Sequence, residues 1–469
     1  MKLQRCYGGV RFPMPGPCLE NVRRIDHGAR PFIHACMRRG MRVDLSHFAK
    51  MEVMLEQDMD RLTSEVQAMT GGEHVNLDSG DQVSHLLFKR LKLKQARPKM
   101  TKSGDRESVE NEVLVAVQHD HPCVPKILNY KEMSKLLGTY VRPMPKLAQK
   151  VGHDHWRMFP KLGDTRVPSG RLNCKEPNLL AMPNRTARGR EVCEGFITDN
   201  GWTFLSVDES QIEPRVVAHR SQDPALMSIY FNEEDIYSDF AIGAFKLKDT
   251  RHKDATGWHY PGVDKKLHRF PSKTCILAAI YDVTNIGLLE QMPTVCKNCH
   301  KEATLHDCDK FEPLWTEANC QDILNAFYLR YPGILRMRKQ DHKRARRHAY
   351  LWDEWGRILH VAAVRSVLEW VVSSALREGG NFPIQSTAQG TMKISMAAIH
   401  DDMVNSGMYG DVMWPLLQIH DEILAEVRED VAEEIGELMK FRIETCVELR
   451  VPIKAGIATC NQSWGQLQK

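Results

Sequence analysis

The chain has 469 residues, of which 42% are hydrophobic and 26% charged, and its 64 basic and 60 acidic side chains give a formal charge of +4. This length and composition predict an ordinary soluble protein of several domains, and they exclude collagen, long disorder and a histone-like basic binder. No run approaches the roughly 18 to 20 apolar residues of a membrane helix, and the glycine- and proline-rich start is not a secretory signal. We therefore expect a cytoplasmic protein with no membrane association, whose 13 cysteines are thiols or metal ligands rather than disulfides.

The first 150 residues are predicted to be mostly helical and basic. The hydrophobic residues of segment 1–30 recur with no clear period, which suggests an irregular arm. From Asp44, which can cap a helix, apolar residues recur at helical spacing, and a further helix is expected over 124–140. Between Lys89 and Lys102 lie seven Lys and Arg residues and no acidic one. Such a stretch is either a phosphate-binding surface or a solvated basic face.

The later part of the chain mixes strands with helices. Residues 202–207 indicate a buried strand that ends at Asp208, and residues 416–419 indicate another that ends just before Asp421. Between them, a basic cluster over 336–347 is followed by Tyr350, Trp352 and Trp355. This pattern fits a nucleic-acid track, or else a solvated helix beside a packed aromatic edge.

Carboxylates follow both predicted strands, in Asp208-Glu209 and in His420-Asp421-Glu422. If the strands are neighbours, these side chains form a cup of hard oxygen ligands, which Mg²⁺ prefers. Two divalent cations in such a cup can clamp the attacking and leaving oxygens of a phosphoryl transfer. One Asp after a strand is usually only a turn or cap residue, but two such motifs together favour a metal site.

Residues 269–281 predict a helix on which Arg269, Lys273 and Leu277 share one side. Two cations on one face can hold a triphosphate, and an aromatic residue one turn further on can stack on a base. Pro271 fits only a first turn, so Arg269 is expected at the entrance of the helix. The alternative is an amphipathic core helix with solvated basic residues.

In this order, Asp208–Arg215, Arg269–Tyr281 and His420–Glu422 resemble motifs A, B and C of the family A DNA polymerases. The resemblance covers about residues 31 to 465. Further segments similar to that family are Ser169–Leu172 with Pro177–Leu179, Arg330–Gly333, and Arg377 with Asn381–Ala388.

The resemblance implies an α+β, right-hand polymerase fold, with a helical thumb and helical fingers around an antiparallel β-sheet palm. The expected parts are an N-terminal arm (1–30), thumb (31–165), first palm segment (166–225), fingers (226–350) and second palm segment (351–469).

The resemblance also implies a role for each matching residue. Asp208 and Asp421, with the backbone carbonyl of Glu209, would bind two Mg²⁺, and Glu422 would lie near the primer end as a third catalytic carboxylate. The residues expected to contact the incoming nucleotide are Arg269, Lys273, Leu277, Tyr281, Glu213, Gln211 and Tyr237, with Glu213 excluding the 2′-hydroxyl. The residues expected to contact primer and template are Arg171, Asn178, Arg377, Asn381, Gln385 and His420.

The sequence departs from the family pattern at several positions. Leu277 replaces an aromatic residue that touches the sugar, Asp282 replaces a glycine after the motif B tyrosine, and Tyr237 replaces a histidine. An insertion of about 20 residues after motif B contains Cys296, Cys299, His306 and Cys308, and long unusual loops tend to be functional. Their spacing suggests either a structural Zn²⁺ site or a loop with reduced thiols.

These features predict a template-directed, primer-dependent DNA polymerase that uses two Mg²⁺ ions, a primed DNA template and dNTPs. Only about 30 residues precede the segment that resembles the thumb, so we expect no proofreading exonuclease in the chain. We expect a monomer of phage or viral origin that acts in the host cytoplasm, with a separate exonuclease, a helicase-primase or a processivity factor as partners. The alternatives are a single-subunit RNA polymerase, a reverse transcriptase or a catalytically silent DNA-binding protein.

Overall fold

The computed structural model describes residues 10–95, 99–101, 103–152, 155–184, 186–301 and 312–467. Within these ranges, no helix is both long enough and apolar enough to cross a membrane. The α-helices described are α1 Leu19–Arg39, α2 Leu45–Met69, α3 Gly80–Ser84, α4 Asn111–Ala116, α5 Cys123–Leu136, α6 Pro143–Leu147, α7 Ala187–Cys193, α8 Ile212–Ser221, α9 Pro224–Phe231, α10 Ile236–Ala244, α11 Phe270–Ile280, α12 Asn285–Leu289, α13 Glu317–Arg330, α14 Pro332–His348, α15 Glu369–Asn405 and α16 Ala432–Thr445. The strands are β1 Met41–Val43, β2 Gln149–Val151, β3 His155–Met158, β4 Lys161–Gly163, β5 Asn173–Lys175, β6 Phe196–Ile197, β7 Trp202–Glu209, β8 His252–Asp254, β9 Gly257–His259, β10 Tyr350–Trp352, β11 Ile358–His360, β12 Met413–Ile419, β13 Glu422–Arg428 and β14 Ala455–Cys460.

Residues 1–9 of the irregular arm predicted over residues 1–30 lie outside the described chain, and the rest of the predicted arm is only partly irregular. Residues 10–18 are irregular, but α1 begins at Leu19 and continues to Arg39. The helix packs on α15 and β12. Its apolar side chains recur every three or four residues, a period that the charged residues and Pro31 between them obscure. The buried members of this stripe include Val22, Ile25, Ala29, Phe32, Ile33 and Cys36.

The segment after residue 44 forms a helix, as predicted. The Asp44 carboxylate caps α2 by accepting hydrogen bonds from the backbone N–H groups of Ser46 and His47. The apolar face of α2 packs against α5, which matches the helix predicted over 124–140, and both helices contribute to one buried cluster. In the described part of the basic stretch, Lys99 lies 2.9 Å from both Glu110 and Glu112. That lysine is therefore partly neutralised.

The central sheet is antiparallel, with strand order β12-β13-β7-β14. Its inner strands are almost wholly buried. On one face, Leu205 and Val207 of β7 pack in one cluster with residues of α1, α15 and α16, and on the other face Phe204 and Leu424 pack with the cluster that contains α2 and α5. Helices α10, α11 and α13 pack on one another. Helix α11 also contacts α8, the helix that follows β7, and is connected through it to the end of the sheet that carries Asp208.

Candidate active site

The two predicted aspartates lie at the same end of the central sheet. Strand β7 carries Asp208 and pairs with β13 in a register that places Asp208 opposite Glu422. Asp421 lies in the tight turn between β12 and β13, and its carbonyl oxygen accepts a hydrogen bond from the Glu209 backbone N–H, at 2.8 Å. The strand that precedes Asp421 is separated from β7 by β13, so the turn, rather than direct pairing of the two predicted strands, brings the aspartates together.

Glu422 is held beside Asp208 by the pleat of the sheet. Residues directly opposite each other on antiparallel strands project to the same face, and so do residues two apart on one strand. Asp208, Glu422 and Ser206 therefore share a face, and the Ser206 hydroxyl donates a hydrogen bond to the Glu422 carboxylate. Glu422 is only 3% exposed. The serine and the burial fix this carboxylate in one orientation.

Glu209 provides a test of whether a cation fits here. Both of its side-chain oxygens are buried and have no hydrogen-bond partner among the described residues. Burial, and then the charges of Asp421 and Asp208, raise the pKa of Glu209 well above its usual value. A site with crowded negative charge and an orphaned buried carboxyl group is one that a cation would relieve.

Few side chains at this site are available to bind a metal ion. The described residues contain no group of three or more His, Cys, Asp or Glu side chains arranged to hold a metal ion. Asp208 and Asp421 supply two carboxylates, and a backbone carbonyl such as that of Glu209 would add a third oxygen. Such a set suits Mg²⁺, which commonly keeps several waters and binds through one or two carboxylates plus substrate phosphates. The residues present therefore fit the ion that the sequence predicts.

Non-glycine residues with positive φ form both turns next to the aspartates. Gln211, which precedes α8, has φ 57°, and His420, which precedes Asp421, also has φ 57°. Such a conformation costs a non-glycine residue about 1 to 3 kcal/mol and clusters at functional sites. The two turns give this end of the sheet a fixed shape, with His420 exposed at its edge.

Helix α11 presents the predicted nucleotide-binding residues on one accessible face. A π-helical turn over Lys265–Arg269 leads into the helix, and Pro271 lies in the first α-helical turn, which confirms that Arg269 stands at the entrance. Arg269, Lys273, Leu277 and Tyr281 are each at least partly exposed, whereas the opposite face of the helix is buried.

Asp235 was not predicted as a site residue, but it binds Arg269 directly. The guanidinium donates from Nε to Oδ2 at 2.9 Å and from Nη2 to Oδ1 at 3.1 Å. Asp235 also caps α10 by accepting from the Ser238 backbone N–H at 3.0 Å. The Gln211 amide reaches Asp235 Oδ1 at 3.5 Å. One carboxylate thus joins the turn after β7 to the entrance of α11.

Tyr237 provides a ring beneath both cations. Arg269 lies 5.2 Å and Lys273 Nζ 5.8 Å from the ring centroid, which is within cation–π range. The ring is buried, and burial, followed by the charge of Asp235, raises the pKa of Tyr237 to about 12. The residue that replaces the expected histidine is therefore a neutral platform that orients the two cations.

Glu213, in the first turn of α8, connects that helix to the far end of α11. The Tyr281 hydroxyl donates a hydrogen bond to Glu213 Oε2, and Arg171 Nη2 donates to Oε1 at 2.5 Å. Burial, and then the charge of Glu213, raises the pKa of Tyr281. The Gln385 side chain also hydrogen-bonds to Tyr281. The structure therefore brings together four residues that the sequence assigned separately to nucleotide and DNA contacts.

The remaining predicted DNA contacts lie around this cluster. Arg377, Asn381 and Gln385 occur at i, i+4 and i+8 of α15 and form one partly exposed row. Asn178 is exposed in the loop before a short 3₁₀ turn. Arg377 also lines an open cavity of about 480 Å³ that extends to Asp282. The row and the cavity border the Tyr281 end of α11.

Comparison with known proteins decides the family. Residues 45–466 match the model of DNA polymerase family A. The chain belongs to that family. It is 30% identical over 420 residues to the thermostable DNA polymerase I of Thermus filiformis, covering 89% of this chain and 45% of the relative. It is 29% identical over 450 residues to DNA polymerase I of Deinococcus radiodurans, covering 94% and 42%. The chain thus spans less than half the length of these bacterial relatives.

A solved structure shows the same fold. The POL domain of Pol1 from M. smegmatis, in a complex with DNA primer-template and dNTP, superposes with a TM-score of 0.80 at 22% identity, covering 95% of this chain and 72% of that chain. The predicted α+β, right-hand polymerase fold is therefore confirmed.

The basic cluster of this family A chain does not form one continuous nucleic-acid track. Arg338 is buried, and its Nη2 donates to the Ala279 carbonyl of α11 at 2.6 Å. Trp355 is 1% exposed and packs on Phe12, so it offers no stacking surface. Trp352 remains partly exposed, with Arg344 4.9 Å above its ring. Arg338 of the cluster and Trp355 after it are therefore structural, because they hold neighbouring elements together.

The predicted zinc ligands are only partly described. Cys296 and Cys299 lie in the described chain, whereas His306 and Cys308 lie outside it. Backbone hydrogen bonds, first from Cys299 and then from Glu312, lower the pKa of the Cys296 thiol to about 6. Among the residues described there is no cluster of metal-binding side chains around this pair. A zinc ion in the insertion stays a prediction.

Proposed function

We propose that this chain is a template-directed, primer-dependent DNA polymerase that adds deoxynucleotides by two-metal phosphoryl transfer. The observation that carries the proposal is the convergence of three motifs: Asp208 and Asp421 at one end of the sheet, with Tyr281 of α11 hydrogen-bonded to Glu213 of α8 beside them. The charge of Asp421 reaches Tyr237, which underlies Arg269 and Lys273. Carboxylates and phosphate-binding cations thus border one space.

In this proposal, the carboxylates of Asp208 and Asp421 and the Glu209 carbonyl would hold two Mg²⁺. When bound, these ions would stabilise the charge that develops on the attacking and leaving oxygens. Arg269 and Lys273 would bind and orient the triphosphate, since a guanidinium fork and an ammonium both suit phosphate oxygens. Glu422, fixed by Ser206, would lie beside Asp208 near the primer end.

Glu213 is proposed to select the sugar. Its carboxylate is held between Arg171 and Tyr281, so it cannot move aside to admit a 2′-hydroxyl without breaking one of these contacts. The half-exposed Leu277 would lie against the sugar on the same face of α11. Deoxynucleotides are therefore the expected substrates, rather than ribonucleotides.

The DNA-binding row is proposed to hold the primer-template junction. Arg377, Asn381 and Gln385 lie on one helical face, and Arg171, Asn178 and His420 would complete the contacts. The M. smegmatis neighbour is a complex with primer-template and dNTP, which supports this assignment. Under the proposal, residues 31–165 act as the thumb, 226–350 as the fingers, and 166–225 with 351–469 as the palm.

Further features of the proposed function follow from the sequence prediction. We propose that the protein acts as a monomer in the cytoplasm, and that an exonuclease, a helicase-primase or a processivity factor accompanies it in phage or viral replication. An idle primer incubated with the chain should keep its length.

The test is primer extension with Mg²⁺ on a primed DNA template, comparing four deoxynucleotides with four ribonucleotides, and on a primed RNA template with the four deoxynucleotides. The proposal predicts extension with deoxynucleotides only, and no shortening of an end-labelled primer without nucleotides. Extension with ribonucleotides alone would indicate an RNA polymerase, and extension on a primed RNA template only would indicate a reverse transcriptase. Tight primer binding without extension would identify a silent DNA-binding protein.

A further inference from the structure

The C-terminal end of α11 is closed by a Schellman turn. The Val283 backbone N–H donates to the Ala278 carbonyl at 3.0 Å, and the Asp282 N–H donates to the Ala279 carbonyl at 3.3 Å. This pattern requires a left-handed residue after the helix, and Asp282 occupies it with φ 59°. Glycine adopts this conformation without strain, whereas aspartate does not. An Asp tolerates this position at a cost, which a local interaction can offset.

Arg338 of α14 provides that interaction. Its Nη2 donates to the carbonyls of Ala279 and Ile280, two of the last carbonyls of α11, and its Nη1 forms an ion pair with the Asp282 carboxylate. The Arg338 side chain is only 9% exposed. A cation at a helix C-terminus complements the helix dipole, and a buried guanidinium needs a charged partner. Asp282 is that partner among the described residues.

This arrangement ties the end of α11 to two neighbouring helices. The Tyr328 hydroxyl of α13 donates to the same Ala279 carbonyl at 3.1 Å. Tyr281, the residue between the helix and Asp282, donates its own hydroxyl to Glu213. The Schellman turn therefore fixes the main chain of Tyr281. The carboxylate of Glu213, which is proposed to select the sugar, fixes its hydroxyl.

We propose that Asp282 and Arg338 form a positioning pair for sugar selection: by closing the end of α11, they fix Tyr281, and Tyr281 holds Glu213 against the 2′ position. The inference rests on the proposed function, in which Glu213 is the residue that excludes ribonucleotides. Neither residue of the pair touches the nucleotide in this account. Their effect is transmitted through Tyr281 alone.

The test measures single-nucleotide insertion and compares kcat/KM for a dNTP with that for the matching rNTP. Asp282→Asn keeps a side chain that tolerates the left-handed conformation but removes the charge. It should lower the deoxy/ribo ratio about tenfold, a moderate effect for residues of one network. Arg338→Met should do the same, and Arg338→Lys should lie between, because lysine keeps the charge but loses the fork.

A double variant tests whether the two residues act together. Asp282→Asn combined with Arg338→Met should lower the ratio no further than either change alone, since both break the same pair. Asp411→Asn, a loss of one exposed carboxylate at the turn before β12, is the matched control and should leave the ratio unchanged. Thermal unfolding of each variant reports stability separately. If the Arg338→Met variant does not fold, the Asp282→Asn and Asp282→Gly variants are measured instead.

The outcomes separate this inference from the function on which it rests. If Glu213→Ala relaxes the ratio and Asp282→Asn does not, the positioning pair is wrong and the sugar-selecting role of Glu213 stands. A drop in melting temperature with an unchanged ratio likewise overturns the inference, because it marks a purely structural pair. If Glu213→Ala itself leaves the ratio unchanged, the proposed selection by Glu213 fails and the positioning pair falls with it.

Discussion

Asp235 forms an ion pair with Arg269, whose guanidinium we propose binds the triphosphate. Its carboxylate accepts two hydrogen bonds from Arg269, at 2.9 and 3.1 Å. A triphosphate that takes the same guanidinium must displace or share this carboxylate and must also tolerate its negative charge. We therefore predict that Asp235→Asn tightens binding of the incoming nucleotide. The substitution keeps the oxygen that caps α10, because asparagine is as good a capping residue as aspartate.

The size of the effect follows from the exposure of the pair. The Arg269 and Asp235 side chains are 39% and 22% exposed, so solvent weakens their attraction. Exposed ion pairs contribute about 0.2 to 1 kcal/mol, and the two-point geometry places this one near the upper end. About 1 kcal/mol corresponds to roughly a fivefold change in binding. We expect the KM for a correct dNTP to fall about fivefold, with kcat changed by less than about twofold.

The assay is steady-state insertion of one nucleotide on a primed template, with primer-template affinity measured in parallel. Asp264→Asn is the matched control, because the Asp264 carboxylate also caps a helical turn, by accepting from the Lys266 and Leu267 backbone N–H groups at 2.8 and 2.7 Å. The control should leave KM unchanged. A KM that rises in Asp235→Asn would refute the reasoning, since it would mean that the carboxylate positions Arg269 for the triphosphate rather than competing with it.

Three other predictions concern sugar selection and stability. Glu213→Ala should admit ribonucleotides, seen as a fall of at least about tenfold in the deoxy/ribo ratio of kcat/KM; an unchanged ratio would remove Glu213 from this role. Asp26→Asn should cost about 3 to 5 kcal/mol in urea unfolding, because Asp26 accepts from Lys393 Nζ at 2.7 Å and that lysine is fully buried; a loss below about 1 kcal/mol would contradict the reasoning. Burial lowers the pKa of His219 to about 3. Between about pH 6.5 and 3, His219 is therefore protonated in the unfolded chain but not in the folded one. The free energy of unfolding is highest above this range and decreases as the pH falls through it. Between pH 6.5 and 5, the wild type should lose about 2 kcal/mol more than His219→Gln, and equal losses would show that His219 is not the group responsible.

Local sequence signals predicted the elements that carry the site. The apolar runs before Asp208 and Asp421 identified two strands of the central sheet, and Pro271 placed Arg269 at the start of α11. These features depend on residues a few positions apart, so side-chain period and proline geometry are enough to find them. The resemblance to family A then related the motifs to one another, and the match of residues 45–466 confirmed the family.

The interactions that tune the site could not be predicted, because they join residues distant in sequence. Asp235 and Arg269 are 34 residues apart, and Arg338 reaches a carbonyl 59 residues earlier. Period and composition contain no information on such pairs. For the same reason, the sequence alone groups Arg338 with surface bases, although its side chain is buried. Helix α1 was missed where Pro31 and many charged residues mask an apolar stripe.

Asp208 and Asp421 are proposed to perform the chemistry rather than to hold DNA. The most direct measurement is single-turnover primer extension by Asp208→Asn and Asp421→Asn in saturating dNTP and Mg²⁺, with primer-template affinity measured for the same preparations and Asp411→Asn as control. Each variant is expected to bind primer-template as tightly as the wild type and to lose at least about a thousandfold in the rate of nucleotide addition. Extension within about tenfold of wild type by either variant would contradict this proposal.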